Sequence, residues 1–377
     1  MPVRIAIPAE RLAGERRVAM VPAVAAKLAA AGAQILVQKG AGKACHIPDE
    51  AYEGVTLVDD AQSLYGQADL CLKVQPPDEE EIGWMRPGTV LVGSLAPTRY
   101  PERVRAMAAG QITSIAMELI PRISRAQYMD TLSSQASAAG YQAVLIGAER
   151  SGRFFPMLTT AAGTIRPARV LVLGAGVAGL QAIATAKRLG AMVEAYDVRS
   201  ATREQVLSLG AKFVDVDVKA EGEGGYAREL TDEEKARQQA KLAEHICAAD
   251  VVITTAAVPG RRAPILIPAA VVHKMKPGAV IVDLAAEGGG NCELTQPGEE
   301  TAVGEVLICA PLNFPSLVAY DSSEMYAKNL ANLLALMVDK GELAIQWEDE
   351  IVAASLVTKD GEIKNDWVRE QLEGNES

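Results

Sequence analysis

A glycine-rich turn carries the clearest chemical signal in the sequence. Gly174, Gly176 and Gly179 form a GxGxxG pattern between an apolar run and a helix-like segment. The first glycine permits a tight turn, the second lets a pyrophosphate approach the backbone, and the third allows the helix to pack closely on the strand. The helix N-terminus then offers N–H groups and a favourable dipole to the phosphates. The pattern predicts a dinucleotide-binding turn.

The residue at the end of the next apolar run indicates which dinucleotide is bound. Asp197 lies about 20 residues after the turn, where such folds hold the adenosine ribose. Its carboxylate can accept hydrogen bonds from both ribose hydroxyls of NAD and would repel a 2′-phosphate. Arg199 is a complication, because a nearby arginine can pair with that phosphate. We predict that residues 164–311 bind NAD(H) in preference to NADP(H).

Two other segments combine polar residues with turns, and each has two interpretations. Residues 117–130 gather Arg122, Gln127 and Asp130 before a helix-like stretch. They form either a functional loop or a solvated loop with a helix cap at Asp130. Residues 283–293 place Glu287 and a run of glycines after a strand, so this turn either approaches a ligand or is simply a loop.

The charged stretch 217–240 is rich in glycine and has one large amphipathic side chain among those glycines, Tyr226. It follows a strand of the nucleotide-binding domain, so it starts near the edge of the nucleotide site. We predict a mobile lid that orders over bound nucleotide, with glycine hinges for reopening. The alternative is a surface loop with no role.

The composition restricts the function classes. A chain of 377 residues with 49% hydrophobic and 23% charged residues is expected to form two globular domains. A net charge of −11 disfavours nucleic acid and anionic lipid as partners. The five scattered cysteines indicate reduced, buried thiols, and the three histidines have no ligand spacing that would predict a metal site.

Targeting and membrane segments are not expected either. The N-terminal residues contain no long apolar run typical of a signal peptide, and no window of about 18 apolar residues could span a bilayer. We therefore predict no direct membrane insertion. No Ser/His/Asp arrangement is visible, and hydride transfer by itself requires none.

The elements that must position these residues follow from the alternation of apolar runs and helical segments, which predicts a parallel α/β fold. The predicted strands are 3–7, 34–37, 70–74, 89–92, 114–118, 169–173, 192–196, 212–216, 251–254, 279–283 and 306–308. The predicted helices are 22–31, 100–109, one after the glycine turn to about 189, a bridging helix at 129–151, and 322–338 with Ser322 or Ser323 as cap.

The last segment indicates how the domains are connected. Asp360-Gly361 lies between apolar runs within 351–363, which predicts a hairpin. The helix at 322–338 should return the chain to the first domain. We therefore predict two Rossmann-like domains with parallel sheets: a discontinuous first domain of residues 1–130 plus 323–377, and an inserted NAD(H)-binding domain of residues 131–322.

Seven segments together resemble one known family over nearly the whole chain. They resemble alanine dehydrogenases and the NAD(H)-binding component of proton-translocating nicotinamide nucleotide transhydrogenase. The segment PRISRAQ followed by MD is specific to the transhydrogenase branch. The segments are 14–22, 121–130, 170–191, 196–199, 254–264, 283–293 and 326–330.

The resemblance implies a homodimer, peripheral on the cytoplasmic face of the membrane, that docks onto an NADP(H)-binding component carried by membrane-spanning subunits. Hydride would pass directly between the two nicotinamides, coupled to proton translocation. Because the chain ends after these domains, we expect its partners to be separate polypeptides. The resemblance assigns the positioning of the dihydronicotinamide to Arg122, Gln127 and Asp130, with Ser133 following, and the lid to the stretch around Gly225 and Tyr226. The predicted nucleotide-binding residues are Gly174, Gly176, Val177, Ala178, Gly179, Asp197, Val198, Arg199, Gly225, Tyr226, Thr255, Ala256 and Glu287.

Two other functions remain as hypotheses. Alanine dehydrogenases bind the substrate carboxylate with an arginine and a lysine, which Arg17 and Lys73 match. Their catalytic histidine and aspartate correspond to Ser94 and Glu287 here. Amine oxidation needs proton transfers, so we expect the missing histidine to disable that reaction. The second alternative is a non-catalytic NAD-sensing module, against which the intact Arg122 loop argues.

Overall fold

A computed structural model describes residues 1–199, 201–216, 231–257 and 262–374. The chain forms two compact units. Unit 1 comprises Met1–Gln135 and Ser316–Ser377, and unit 2 comprises Ala136–Pro315. The first boundary falls within a long helix, and unit 1 is therefore built from two separate stretches of chain.

The first stretch of unit 1 alternates strands and helices. Its strands are β1 (Arg4–Ile7), β2 (Gln34–Gln38), β3 (Thr56–Val58), β4 (Leu70–Leu72), β5 (Val90–Gly93) and β6 (Thr113–Ala116). Its helices are α1 (Pro22–Ala30), α2 (Ala61–Gln67), α3 (Glu79–Trp84) and α4 (Pro101–Ala109). Its 3-10 turns are Lys43–Cys45, Asp49–Ala51, Met117–Leu119 and Ser124–Met129.

The helix α5 (Thr131–Arg150) then leads into unit 2. The strands of unit 2 are β7 (Leu158–Thr160), β8 (Gly163–Ile165), β9 (Arg169–Leu173), β10 (Met192–Tyr196), β11 (Lys212–Phe213), β12 (Val251–Thr254), β13 (Val280–Asp283), β14 (Glu300–Val303) and β15 (Val306–Cys309). Its helices are α6 (Val177–Arg188), α7 (Thr202–Ser208), α8 (Asp232–Ala248) and α9 (Ala269–Val272), with a 3-10 turn at Ala286–Gly288.

The second stretch of unit 1 follows a 3-10 turn at Phe314–Val318. Its helices are α10 (Ala319–Leu334), α11 (Glu350–Ser355) and α12 (Asp366–Gly374). Its strands are β16 (Val338–Asp339), β17 (Glu342–Leu343), β18 (Leu356–Lys359) and β19 (Glu362–Ile363).

Both large sheets have the same doubly wound order. In unit 1 the order is β19-β18-β6-β5-β4-β1-β2-β3, and β1 to β6 are mutually parallel. In unit 2 the order is β11-β10-β9-β12-β13-β15-β14, and only the edge strand β14 is antiparallel among the described strands of this sheet. This confirms the predicted α/β fold with parallel sheets, to which antiparallel edge strands are added.

Each large sheet is covered on both faces. Along β9, Val170 and Val172 pack into one apolar cluster, whereas Leu171 and Leu173 pack into another. Because successive side chains of a strand point to opposite faces, a strand buried on both faces must be apolar at every position. This explains the uninterrupted apolar runs from which the strands were predicted.

One local prediction, the side-chain cap of the helix at 322–338, was wrong. Helix α10 begins at Ala319 after Val318, so Ser322 and Ser323 do not cap it. Both serines are buried inside the helix, and the Ser323 hydroxyl donates to the Ala319 carbonyl at 2.6 Å. The hairpin around Asp360-Gly361 is confirmed: it is formed by β18 and β19, both turn residues have positive φ, and Ile351 lies before it in α11.

The predicted lid at residues 217–240 is described only at its C-terminal end. Helix α8 begins at Asp232, so the last third of the predicted lid is helical and not a loop. Residues 217–230 lie outside the described residues. The predicted strand at 212–216 is shortened to Lys212–Phe213.

Among the residues that the structure describes, no helix is both long and apolar enough to cross a bilayer. Within the same residues, no group of three or more His, Cys, Asp or Glu side chains is arranged to hold a metal ion.

Candidate functional site

The strand order of unit 2 creates a crevice between two neighbouring strands. From β9 the chain moves outward to β10 on one side, and it later returns to place β12 on the other side. Connections therefore diverge from the carboxyl ends of β9 and β12, which is where open α/β sheets bind ligands. Gly174 follows β9 and Thr255 follows β12, so both predicted residues border this crevice.

The glycines of the turn fit the roles that their spacing predicts. Gly174 has a φ of 101°, and a Cβ there would lie 2.6 Å from Thr255 Oγ1. A Cβ on Gly179 would lie 1.9 Å from the Gly174 carbonyl oxygen, so no side chain fits where α6 meets β9. Among the atoms of the described residues, the nearest to a Cβ on Gly176 would be Arg199 Nη2 at 3.9 Å. The space above the helix N-terminus is therefore left open, as a pyrophosphate requires.

Asp197 is tied to the glycine turn and to Arg199. The Ala175 amide donates to Asp197 Oδ2 at 2.7 Å, and the Arg199 guanidinium binds both carboxylate oxygens at 2.8 and 2.9 Å. Burial alone would raise the pKa of Asp197, but the hydrogen bonds from Arg199 and the backbone outweigh it and lower this pKa below its ordinary value. Asp197 is thus held as a carboxylate beside the turn, at the place where the sequence put the ribose contact.

The turns after β12 and β13 are joined by a buried polar network. Asp283, fully buried, accepts hydrogen bonds from the amides of Ala285, Asn291 and Cys292. The Asn291 side chain accepts from the Ala256 amide at 3.0 Å and donates to the Ala256 carbonyl at 2.8 Å. Sequence reasoning missed Asp283 and Asn291, although an aspartate at a strand end before a glycine run was a signal for such a turn.

The remaining predicted nucleotide-binding residues of unit 2 fall into two groups. Val177 and Ala178 form the first turn of α6, and Val198 lies beside Asp197. Glu287 is exposed, and its carboxylate accepts the Asn313 amide at 3.1 Å, which places it on a loop rather than in the buried network. Gly225 and Tyr226 lie outside the described residues.

In unit 1, the loop that ends at Asp130 presents polar side chains to solvent. Arg122 and Gln127 are exposed. Asp130 caps helix α5, since its carboxylate accepts the Ser133 amide at 2.9 Å and the Ser133 hydroxyl at 2.6 Å. The capping interpretation of Asp130 is confirmed, and it is compatible with a functional loop because the cap fixes where the loop ends.

At the equivalent switch point of unit 1, between β1 and β4, buried polar side chains contact one another. Lys73 is 1% exposed and its Nζ lies 2.7 Å from Glu81 Oε1 and 3.3 Å from Glu10 Oε2. Burial would lower the pKa of Lys73, but these two carboxylates outweigh burial and raise it. Lys73 is therefore enclosed by carboxyl groups of its own unit.

A second buried ion pair lies in the same unit. The Arg17 guanidinium binds Glu15 in a bidentate way, with N–O distances of 2.8 and 2.6 Å. Burial would raise the pKa of Glu15, but Arg17, Ser316 and Gln75 lower it to about 2. The fork of Arg17 is thus already occupied by a carboxylate of its own chain.

Gly140 on α5 is another residue that sequence reasoning missed. A Cβ at this position would lie 2.0 Å from the Ala178 carbonyl oxygen, on the first turn of α6. The close approach of the two helices therefore requires a glycine there. A glycine inside an otherwise alanine-rich helix was the only sequence signal.

Gly140→Ala is expected to lower the free energy of unfolding by about 1–3 kcal/mol, because backbone atoms of α6 must move. It should also weaken nucleotide binding, since the shift displaces the glycine turn at the N-terminus of α6. Gly66→Ala is the matched control: Gly66 is also helical, and no atom of the described residues outside its own turn lies within 4 Å of its added Cβ. That control should gain up to about 1 kcal/mol. Urea unfolding measures both variants, and equal stability of the two would contradict the packing argument.

Comparisons with known proteins agree with this geometry. The first segment of the NAD(P) transhydrogenase subunit alpha of Rhodospirillum rubrum is 49% identical over 96% of this chain and 97% of that protein. The NAD(P) transhydrogenase subunit alpha of Haemophilus influenzae is 42% identical over 95% of this chain and 71% of its own. The crystal structure of a transhydrogenase from Sinorhizobium meliloti superposes with a TM-score of 0.87 at 46% identity, covering 96% of this chain and 99% of that one.

Alanine dehydrogenases are more distant relatives. The enzyme of Mycolicibacterium smegmatis is 30% identical over 98% of this chain and 96% of its own. The family described as alanine dehydrogenase/PNT matches with its N-terminal domain at residues 6–139 and with its C-terminal domain at residues 143–366. The chain therefore belongs to the alanine dehydrogenase/PNT family.

Proposed function

We propose that this chain is the NAD(H)-binding subunit of a proton-translocating transhydrogenase. The observation that carries the proposal is the contrast between the two switch points. The crevice of unit 2 is bordered by a glycine turn and an ionised Asp197, whereas at the switch point of unit 1 Lys73 is enclosed by carboxyl groups of its own unit. The first can receive a dinucleotide, and the second offers no open cationic site to an amino-acid substrate.

The residues of unit 2 fit NAD(H) by their chemistry. The N-terminus of α6, opened by Gly176, would receive the pyrophosphate. Asp197 would accept the ribose hydroxyls once Arg199 yields part of its contact. Arg199 should contribute little to the binding of a 2′-phosphate. Pairing with that phosphate would break the charge-assisted hydrogen bonds from Arg199 to Asp197. Bound NADH supplies the hydride.

The loop of unit 1 would act on the reacting ring rather than on the adenosine. Arg122 and Gln127 are exposed, so they are accessible to a ligand or a partner. Asp130 and Ser133 fix the end of the loop through the cap of α5. We assign Arg122 and Gln127 to the positioning of the dihydronicotinamide, and Asp130 with Ser133 to the geometry of the loop. Gly225 and Tyr226 remain assigned to the lid.

The partners follow from the same proposal. We propose a homodimer on the cytoplasmic face of the membrane that docks onto an NADP(H)-binding subunit associated with membrane-spanning subunits. Hydride passes directly from NAD(H) on this chain to NADP(H) on the partner, and the membrane subunits couple the transfer to proton translocation. Support comes from the relatives, which are named as alpha subunits of NAD(P) transhydrogenase.

Two cationic side chains, Arg17 and Lys73, are already paired with carboxyl groups of their own chain, which argues against the amino-acid dehydrogenase alternative. The fork of Arg17 already holds the Glu15 carboxylate, and Lys73 is almost inaccessible. A substrate carboxylate would have to displace buried ion pairs. Alanine dehydrogenases have a histidine at the position of Ser94. A histidine can act as a general base near neutral pH, whereas the Ser94 hydroxyl cannot.

One experiment tests the proposal against both alternatives. The purified chain is mixed with NADH and with a purified NADP(H)-binding subunit that carries NADP+. Reduction of this NADP+ is followed. The chain alone is then given alanine and NAD. We expect transfer in the first mixture and no NADH above background in the second. Alanine turnover at about 1–1000 per second, or binding of NADH without transfer, would reject the proposal.

NADH is expected to bind much more tightly than NADPH. Asp197→Ala should reduce this difference in affinity by weakening the binding of NADH, since each charge-assisted hydrogen bond lost is worth about 1.5–3 kcal/mol. Asp197→Asn is the matched variant, because its amide oxygen can still accept from the Ala175 amide and keep the turn in place. Fluorescence titration of both nucleotides measures the effect. Equal affinities in the unsubstituted protein would show that Asp197 does not select the cofactor.

A further inference from the structure

The backbone of the loop that carries Arg122 and Gln127 is anchored by residues of the second stretch of unit 1. Ala126 and Met129 are buried. The Asn329 side-chain amide on α10 donates to the Tyr128 carbonyl at 2.8 Å. The backbone is therefore anchored, while the Tyr128 side chain, which is 75% exposed, points away from the core.

A second anchor is ionic. Arg125 binds Asp349 with two parallel hydrogen bonds, Nη1 to Oδ2 at 2.8 Å and Nη2 to Oδ1 at 2.9 Å. Its Nη2 also lies 3.2 Å from Glu350 Oε1. This bidentate arrangement fixes direction as well as distance, which a single contact of a point charge does not.

The acidic partner of Arg125 is itself held in place. Asp349 is the cap of α11, since its Oδ1 accepts the Ile351 amide at 2.9 Å. Its side chain is 14% exposed, whereas that of Arg125 is 46% exposed. The hydrogen bonds from Arg125 lower the pKa of Asp349 below its ordinary value. The rigid partner is thus on α11, and the loop is the element that is positioned.

We propose that Arg125 and Asp349 form a positioning pair for hydride transfer: they hold the loop so that Arg122 and Gln127 present their side chains in one orientation. The inference rests on the proposed function. Arg125 touches neither nucleotide in this assignment and acts through the loop. An exposed ion pair contributes little to stability, so the value of this pair lies in geometry. Because about 1 Å of misplacement can cost on the order of a hundredfold in rate, a small release of the loop should be visible in kinetics.

The test is a double-mutant cycle on the rate of transfer, measured with saturating partner subunit. Arg125→Ala should lower the maximal rate by roughly tenfold, with unchanged KM for NADH. Asp349→Asn keeps a capping side chain for α11 but removes the bidentate ionic contact and leaves Arg125 only its contact with Glu350, which does not fix direction, so it should lower the rate by a similar factor. The double variant should be no slower than Arg125→Ala, because both changes break one interaction. Arg125→Lys should transfer hydride faster than Arg125→Ala but more slowly than the unsubstituted protein.

Controls separate this role from general destabilisation and from failure of the proposed function. Arg150→Ala removes another half-exposed arginine that is paired with a glutamate, Glu300, in unit 2, and it should leave the transfer rate and its KM unchanged. Each variant is checked by thermal unfolding. If the unsubstituted protein transfers hydride but Arg125→Ala does so normally, or if the two substitutions act additively, the positioning pair is refuted. If the unsubstituted protein shows no transfer with its partner, the proposed function itself fails.

Discussion

Gln127→Ala is expected to slow hydride transfer by about a hundredfold while the affinity for NADH changes little. The Gln127 side chain is exposed, so its loss creates no cavity. The local turn is kept by the backbone, because the Gln127 carbonyl accepts the Asp130 amide. The substitution therefore removes only the proposed contact of Gln127 to the nicotinamide ring, and the backbone of the loop stays in place. Misplacement of the ring by about 1 Å is sufficient for a loss of rate of this size.

The measurement compares single-turnover transfer to a saturating partner with NADH binding to the isolated chain. Gln67→Ala is the control, since Gln67 is also an exposed glutamine of unit 1 but lies at the end of α2. It should transfer hydride at the unsubstituted rate. A normal rate in Gln127→Ala, or a loss that is explained by weaker NADH binding, would contradict the assignment of Gln127 to ring positioning.

Lys73→Met is expected to lower the free energy of unfolding by about 3–5 kcal/mol at neutral pH, because it leaves buried carboxylates without their cation. Glu81 and Glu10 both face Lys73, and the Tyr65 hydroxyl donates to Glu81 at 2.8 Å. Methionine fills a similar volume, so the loss comes from charge rather than from a cavity. Urea unfolding at pH 7 measures it.

The loss in Lys73→Met should depend on pH in a defined direction. Burial already raises the pKa of Glu10 above its ordinary 4.5, and removing Lys73 raises it further. A carboxyl group whose folded pKa is raised destabilises the fold above that pKa, and the penalty disappears as the pH falls toward 4.5. The difference between Lys73→Met and the unsubstituted protein should therefore shrink in acid.

Lys328→Met is the matched control for this substitution. Lys328 pairs with Glu324 on the surface of α10, and its side chain is 62% exposed. Its loss should change the stability by no more than about 0.5 kcal/mol. If Lys73→Met were as mild as this control at pH 7, the buried cluster would not be held by its charges.

The sequence was sufficient to predict those features that depend on local pattern. The span of β9, Arg169–Leu173, is the predicted one, because a strand buried on both faces between a charged residue and a glycine turn has clear ends. The glycine turn and Asp197 lie together because their spacing is that of one β-α-β unit. The helix start at Ala319 was missed because no side-chain cap marks it: Val318 precedes the helix and forms no such hydrogen bond.

The polar partners could not be predicted, because they depend on contacts between distant regions of the chain. Arg125 and Asp349 are separated by 224 positions, and Arg16 and Ser316, whose backbone and hydroxyl meet at 2.7 Å, by 300. No periodicity or spacing connects such residues. The same limit applies to Lys73: the sequence matched it to a substrate-binding lysine, whereas the fold surrounds it with Glu10 and Glu81.

The divided chain of unit 1 has a consequence for biosynthesis. Its first stretch ends at Gln135 and its second begins at Ser316, and Tyr326, Leu330 and Leu333 of the second complete an apolar cluster with β1 and β2 of the first. While the ribosome makes the 180 intervening residues, 136 to 315, that cluster is incomplete for roughly ten to forty seconds at ordinary elongation rates.

Unit 2 is continuous, so it can finish folding before unit 1 has all its strands. The antiparallel strand β18, which pairs with β6, is synthesised only after the whole of unit 2. A nascent chain stalled before residue 316 should therefore contain a folded nucleotide-binding unit joined to an unfinished N-terminal stretch with exposed apolar surface. That stretch is the segment on which chaperones of the translating ribosome would have to act.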